Sequence, residues 1–296
     1  MERITIFTPA YNAEKTLYRT FESLKKQSYR NFVWVICNDC STDNTLDVIH
    51  KILEENVDFS IQVINNEYNK GKHISFNDCL SKTQSELIIN LDSDDAFTDY
   101  ALSTLIYYWD LIEDKNKYAG IKSQTISDSK FSRINSVHFN KHRIYIDASL
   151  YDFKFKLKLD KGEMHYMMRT DVAKEFETPN IEGLKYYPEN IGQMEISKHY
   201  MTRFLDIPTR IYYTSSSYLT KKTTNNYEEK RYMHLYFVNE LKKLKVDSFP
   251  FYLKMVIGYI RDNKKCDIGF RKSLKEIKRF WDRFYFILLY PLKLFL

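Results

Sequence analysis

Residues 87–91 read Leu-Ile-Ile-Asn-Leu, a short apolar strand, and the next four positions are Asp92-Ser93-Asp94-Asp95. Three carboxylates within four residues, where a buried strand ends, repel one another and raise one another's pKa. A divalent cation relieves that repulsion, and a cation that also grips a diphosphate gives the cluster a use. The alternative is an acidic turn whose aspartates cap the following helical segment, residues 99–111. The two readings differ in what the rest of the chain must supply. A ligand site at one strand end needs other strand ends beside it.

The preceding residues supply them. Residues 3–8 form an apolar strand, and residues 14–26 carry Leu17, Phe21 and Leu24 at helical spacing. A second strand covers 32–37. A helix follows from about 42 to 55, with Ser41 or Thr42 as its cap and Leu46, Ile49 and Leu53 facing inward. Residues 60–64 and 87–91 are the third and fourth strands, with a short helix at 71–81 between them. This alternation predicts a doubly wound α/β fold with a mostly parallel central sheet, whose ligands bind at the carboxyl ends of the strands. Those ends carry Thr8-Pro9-Ala10-Tyr11-Asn12, Asn38-Asp39, Asn69-Lys70-Gly71-Lys72-His73 and the acidic turn. No G-x-G-x-x-G follows the first strand and no P-loop is present, which argues against a dinucleotide dehydrogenase or a P-loop ATPase. A nucleotide would be held otherwise: Asp39 accepting from a base N–H, Tyr11 offering a flat face, and Lys70 or Lys72 reaching phosphate oxygens.

The chain is long and apolar enough to bury a large core, at 296 residues and 44% hydrophobic content. Four cysteines are too few for a disulfide framework, and the amino terminus enters a strand without a secretory segment, so a cytoplasmic location is expected. Cys37 and Cys40 form a C-x-x-C, but Cys37 lies inside a strand and only Cys79 with a distant histidine could add ligands. Strand packing and turn occupancy are expected there, in place of zinc or redox chemistry. Residues 242–296 hold 14 lysines and arginines against five acidic residues, +9, which leaves −3 for the rest of the chain. The basic segment 271–279 leads into an aromatic and apolar end, residues 280–296. This pairing suits an anionic membrane surface. Its apolar run is well short of the ~20 residues that a spanning helix needs. The segment is therefore expected to lie on a bilayer, the alternatives being packing on the protein's own core or on a partner. No nucleic-acid partner is expected.

The segments Thr8-Pro9-Ala10-Tyr11-Asn12, Asn38-Asp39-Cys40-Ser41-Thr42-Asp43-Asn44-Thr45, Asn69-Lys70-Gly71-Lys72-His73 with Asn77, and Asp92-Ser93-Asp94-Asp95 resemble, in order and spacing, the motifs of glycosyltransferase family 2. The resemblance covers about the first 100 residues. It implies a GT-A fold and transfer of a sugar from a nucleotide-diphosphate donor, UDP-linked by preference, with inversion at the anomeric carbon. By that likeness Thr8, Pro9, Ala10, Tyr11, Asn12 and Asp39 would surround the nucleotide, joined by Lys70, Gly71, Lys72, Asp92 and Ser93. Asp94, with Asp92, would hold Mn2+ or Mg2+. Cys40 departs from the pattern, which has Gly there, and so bears on backbone geometry, because Gly takes positive φ without strain.

Inverting transfer needs a carboxylate to take the proton from the acceptor hydroxyl. The stretch from Glu182-Gly183 to Pro188-Glu189 resembles the family's E-G and P-E arrangement, which names Glu189 as base and Glu182 as second candidate; the alternative is that Glu189 caps a helix after Pro188. His165 and His199 could add a metal ligand or phosphate contact, or serve packing. The expected organisation is a nucleotide-sugar-binding half at 1–100, an acceptor-binding half at 101–220 and a helical, membrane-associating extension at 221–296. The expected activity is metal-dependent, hexosyltransferase-like transfer to a glycan or lipid-linked acceptor in surface polysaccharide synthesis. A metal-dependent nucleotidyltransferase and a non-catalytic nucleotide-sugar-binding protein are the alternatives.

Overall fold

Strands β1 (Ile4–Ala10), β2 (Phe32–Asn38) and β4 (Leu87–Asn90) are covered on both faces, which is why they read as largely apolar runs, broken by Thr5 and Thr8 in β1 and ended by Asn in β2 and β4. β3 (Ser60–Asn65) keeps exposed and half-buried residues, as befits a sheet edge. The computed structural model describes residues 2–129, 139, 143–159, 162–181, 187–214, 226–241 and 249–294. Their contacts divide into two units, Met1–Thr178 with Glu195–Tyr218, and Pro179–Met194 with Leu219–Leu296.

In the first unit, helices α1 (Leu17–Lys25), α2 (Thr45–Leu53) and α3 (Lys72–Lys82) alternate with these strands as their periodicity predicts. α1 buries Leu17, Phe21 and Leu24, and Phe21 stacks on the fully buried Trp34 of β2 at 5.8 Å. α2 corrects the expectation. It begins after Asn44, with neither Ser41 nor Thr42 as its cap: both hydroxyls are turned to Asn12, Ser41 Oγ accepting from its N–H at 3.1 Å and Thr42 Oγ1 donating to its Oδ1 at 3.3 Å. Its buried face carries Thr45, Ile49 and Ile52, and Leu46 and Leu53 are exposed.

The first unit continues through β5 (Ala96–Phe97), α4 (Ala101–Asp110), β6 (Tyr118–Ser127), β7 (Tyr145–Ala148), β8 (Met164–Arg169), α5 (Thr170–Glu175) and β9 (Met201–Tyr212). The sheet order is β3-β2-β1-β4-β8-β6-β9-β5, with β7 added on β9. It is parallel from β3 through β4. Beyond that, β8 runs antiparallel to both β4 and β6, and β9 is parallel to β6. α4 has Tyr100 at its cap and no acidic residue in its first turn, so the acidic turn does not serve as its cap.

Parallel alignment brings the carboxyl ends of the first four strands to one edge. Ala10 lies beside Asn38, Asn38 beside Asn65, and Phe7 beside Asn90. β4 stops opposite Phe7, whereas β1 runs on to Ala10; on its other side β8 pairs Met167 with Ile89 and extends to Met164. The loops after β1 and β2 are bonded together: Asn12 N to Ser41 Oγ at 3.1 Å, Thr42 N to Asn12 Oδ1, and Ala13 N to Thr45 Oγ1 at 2.7 Å. Asn12 and Cys40 take left-handed conformations in these loops, φ 53° and 58°. The departure from Gly at position 40 therefore falls on a residue that holds the backbone geometry Gly favours. Cys37 is fully buried among the strands, and all four cysteines are free thiols.

The second unit is helical, with α6 (Glu189–Ile196) beginning in its first segment and α7 (Tyr227–Glu240), α8 (Phe249–Lys265), α9 (Phe270–Glu276) and α10 (Phe280–Leu289) in its second. α7 and α8 pack around a buried polar network. Arg231 donates to Asn263 Oδ1 at 2.6 Å and pairs with Glu276, which also accepts from the Tyr259 hydroxyl. His234 pairs with the fully buried Asp262 at 2.8 Å. Gly258 permits this approach, since a Cβ there would fall 2.4 Å from the His234 ring. α10 is anchored by Phe286, which stacks on Phe270 at 5.8 Å, while Phe280, Trp281, Phe284, Ile287 and Leu288 face outward. Among the described residues no helix is long and apolar enough to cross a membrane.

Left-handed backbone is costly for a β-branched residue, so Cys40→Val is expected to lower stability by about 1–2 kcal/mol in chemical denaturation. Cys40→Gly should leave it within about 0.5 kcal/mol of the parent, because relieved strain offsets the entropy of the extra glycine.

Candidate active site

The shared sheet edge gathers most of the residues singled out in the sequence. Thr8 and Ala10 are the exceptions in kind: both are fully buried, and the Thr8 hydroxyl accepts from the Trp34 indole N–H at 2.8 Å. Pro9, Tyr11 and Asn12 line the end of β1 with more exposure.

Asp39 is an organiser of this edge. It is buried, and its carboxylate accepts from Lys70 N at 2.9 Å, Gly71 N at 2.8 Å and Asn66 Nδ2 at 2.8 Å, with the Ser75 hydroxyl at 3.3 Å. Backbone donors fix the β3–α3 loop to the end of β2, and Gly71 makes that turn at φ 84°. The same loop then delivers Lys72, whose ammonium sits 2.8 Å from Asp92. Lys70 points elsewhere, to Asp78 at 2.7 Å. Asp39, Lys70, Gly71, Lys72 and Asp92 are thus one connected network.

The three aspartates meet their mutual repulsion in different ways. Burial works against ionising Asp92, but Lys72, with help from Arg210, more than offsets it and holds the carboxyl below the usual range. Burial and the neighbouring Asp92 charge push Asp94 above it. Asp95 is 2% exposed, and burial, against the pull of Arg210 3.4 Å away, pushes its carboxyl up to about 8. Arg210 reaches Asp95 from the far end of β9 and is itself buried, bonded also to Thr125 and Glu163. Below the turn lies His165, also buried, with Nε2 on the Asn90 carbonyl and Nδ1 3.5 Å from the Thr209 hydroxyl. Burial, reinforced by Arg210, takes this ring down to about 3, so it is a neutral packing residue with both nitrogens facing protein. His199 stacks against Phe176 at 5.7 Å.

The backbone of the turn is pinned from α1. Arg19 donates to the Asp94 carbonyl at 2.6 Å, and the buried Thr20 hydroxyl lies 3.2 Å from the Ser93 carbonyl and 2.7 Å from that of Asp95. Asp95 N closes the turn on the Asp92 carbonyl at 3.0 Å. Sequence reasoning missed Arg19, Thr20, Asn66 and Arg210. Asn66 was findable, since it follows the third strand directly; nothing in residue order pairs Arg210 with a turn more than a hundred positions earlier.

Among the described residues no three His, Cys, Asp or Glu side chains converge as a cation cage. Asp92 and Asp94 nevertheless offer two carboxylates from one turn. That is the protein share Mg2+ or Mn2+ takes when phosphate oxygens of a substrate complete its shell. The donor set fits such an ion better than it fits zinc or calcium, which want more protein ligands. Glu189 opens α6 in the second unit, exposed and following the buried Pro188, and its charge adds to the burial that raises the carboxyl of Glu229. Glu182 lies outside the described residues.

Comparison with known proteins agrees with this architecture. The chain is similar to TarS of S. aureus, residues 1–349, with a TM-score of 0.59 and 15% identity over 98% of this chain and 89% of that one. A mannosyltransferase from Pyrobaculum calidifontis, solved with GDP-Man and Mn2+, aligns with a TM-score of 0.53 and 13% identity over 99% and 87% of the two chains. At such identities the likeness speaks to the fold, which is GT-A. In sequence, 39% of 108 residues match the Escherichia coli UDP-Glc:alpha-D-GlcNAc-diphosphoundecaprenol beta-1,3-glucosyltransferase WfaP, 36% of this chain and 41% of that protein. Bacillus subtilis EpsE, a putative glycosyltransferase, is 36% identical over 93 residues, 31% and 33% of the two chains. The matches thus span about two fifths or less of the length of these curated relatives. A family profile described as Glycosyl transferase family 2 matches residues 5–174, from the first strand through the helix after β8 and so over more than half of the chain; the protein belongs to that family.

Proposed function

We propose that this glycosyltransferase moves a sugar from a UDP-linked donor, with inversion, to a hydroxyl of a lipid-linked glycan in surface polysaccharide synthesis. The observation that carries the reading is the acidic turn, with Asp92 and Asp94 held at the same strand edge as Asp39 and the 70–72 loop. The donor preference is supported by the UDP-Glc in the name of the E. coli relative and by the TarS structure solved with UDP-GlcNAc, which aligns with a TM-score of 0.59. The acceptor class is supported by the diphosphoundecaprenol in that same name, and by the undecaprenol-linked acceptor named for a Campylobacter jejuni relative, 26% identical over 106 residues.

In this reading residues 1–100 bind the donor and 101–220 the acceptor side. Tyr11 and Asp39 flank the base, Lys72 exchanges its Asp92 contact for a phosphate oxygen, and Asp94 with Asp92 holds Mn2+ or Mg2+. The ion, when bound, offsets charge on the departing diphosphate. Glu189 takes the proton from the acceptor hydroxyl as its oxygen attacks the anomeric carbon opposite the breaking C–O bond, and the bond electrons leave with UDP. Glu182 is the second candidate for that proton. The test is a panel of nucleotide sugars assayed for binding and turnover with Mn2+, Mg2+ or EDTA. Asp94→Ala should lower kcat/KM by on the order of 10²–10³ and remove cation-dependent binding. Glu189→Gln should lower kcat by on the order of 10²–10⁴ with donor affinity retained. Full turnover by both variants would overturn the assignment.

The same reading has the protein act at the inner face of the cell membrane, through α10. The support is its outward row, with Phe280 at 75% and Trp281 at 58% exposure, following the basic segment 271–279. Burying one such side chain contributes roughly 1.5–3 kcal/mol. Removing residues 280–296 would also remove Phe286 from the helical core, so substitution of the outer face is the cleaner experiment. Phe280→Ser, Trp281→Ser and Phe284→Ser together should reduce sedimentation with phosphatidylglycerol vesicles at least about tenfold while the melting temperature holds. Unchanged sedimentation would remove α10 as the anchor.

A further inference from the structure

Three carbonyl groups in succession, those of Ser93, Asp94 and Asp95, receive their hydrogen bonds from α1. The single hydroxyl proton of Thr20 serves the Asp95 carbonyl at 2.7 Å, with the Ser93 carbonyl within reach at 3.2 Å. Arg19 is a costlier choice for the third, because a long cationic side chain loses much rotamer freedom when held in one geometry. The chain recovers that ordering through Tyr213, whose ring lies 3.6 Å from the Arg19 guanidinium carbon. Tyr213 directly follows β9, and the next residue, Thr214, is bonded through both its N–H and its hydroxyl to Asp128. The stacking surface is therefore itself anchored to the end of the sheet.

A charge-assisted bond to a carbonyl is directional and short, here 2.6 Å. Rotating the peptide that follows Asp94 would break it, so the bond restrains ψ of Asp94 and with it the direction in which the side chain leaves the turn. We propose that Arg19, steadied by Tyr213, is the positioning residue for Asp94 and sets the aim on which cation-dependent donor binding relies. The assignment rests on the reading of Asp94 as a cation ligand. Arg19 touches neither ion nor sugar in this role; it acts through the backbone.

The test measures UDP binding to the full chain by calorimetry in Mn2+ and in EDTA, alongside Mn2+ titration followed by electron paramagnetic resonance. Arg19→Ala should raise the Mn2+ concentration for half-maximal UDP binding by on the order of 10- to 100-fold, the usual effect of losing an orienting partner. Affinity in EDTA should stay at the wild-type value. Arg19→Lys, which keeps charge and donor but not the flat stacking plane, should recover part of the loss. Tyr213→Leu should reproduce part of it and Tyr213→Phe none. Should Arg19→Ala fail to fold, the two Tyr213 variants decide the matter. Unchanged Mn2+ dependence in Arg19→Ala, or in Tyr213→Leu where that variant decides, overturns the positioning role alone, as does a parallel fall of affinity in EDTA. Wild-type protein that binds UDP equally with and without Mn2+ overturns the cation reading and the positioning role with it.

Discussion

Negative charge concentrated at the end of β4 is the constraint around which the first unit is arranged. Every solution to it draws on a different part of the chain. Lys72 comes from the start of α3, Arg210 from β9, and the donors that hold the backbone from α1. Asp95 is buried to the point where its proton is retained far above the ordinary carboxylate range, so part of the repulsion is removed by neutralisation. What survives is a graded trio in which Asp92 is ionised against a lysine and Asp94 stands beside it under strain of charge. An arrangement built only for stability would have no reason to keep Asp94 acidic.

Asp39 shows how a residue can be read correctly for place and incompletely for role. Its position after the second strand was plain. Its carboxylate, however, is bonded to two backbone N–H groups and two side chains of the β3–α3 segment, so it shapes the loop that carries Lys70, Gly71 and Lys72. Any contact with a base must share that carboxylate with the loop. Cys40 is similar. Its left-handed conformation follows from the joining of the β1 and β2 loops, and a sulfhydryl side chain tolerates what the family's glycine would adopt freely.

Local order made the first hundred residues legible, because strands buried on both faces and helices with one apolar stripe write their periods directly into the sequence. The errors there were errors of phase: α2 buries Thr45, Ile49 and Ile52 and leaves Leu46 and Leu53 facing water, while Thr42 is bonded to Asn12, thirty residues earlier, outside the helix. Beyond residue 100 the sheet mixes antiparallel and parallel pairs, which leaves no comparable signature. The partners of the acidic turn are also non-local. Arg210, Glu163 and His165 come together near the turn only once β8 and β9 have both paired with β6, and no spacing rule links them. The outward face of α10 was visible as composition, yet its inward residue Phe286 was not distinguishable from its neighbours without the packing of α9.

The registers around β4 have a further consequence. Both neighbours outrun it: β1 by the three residues after Phe7, to Ala10, and β8 by the two, His165 and Met164, beyond the level of Asn90. Leu91 N still donates to the Phe7 carbonyl at 2.9 Å, so the acidic turn leaves the sheet between two flanking strands and not from an open rim. Peptide walls displace solvent on both flanks, and water there screens less than it does over an open surface. Electrostatic attraction at the turn is thereby strengthened by the two strands that flank it, before any side chain is chosen.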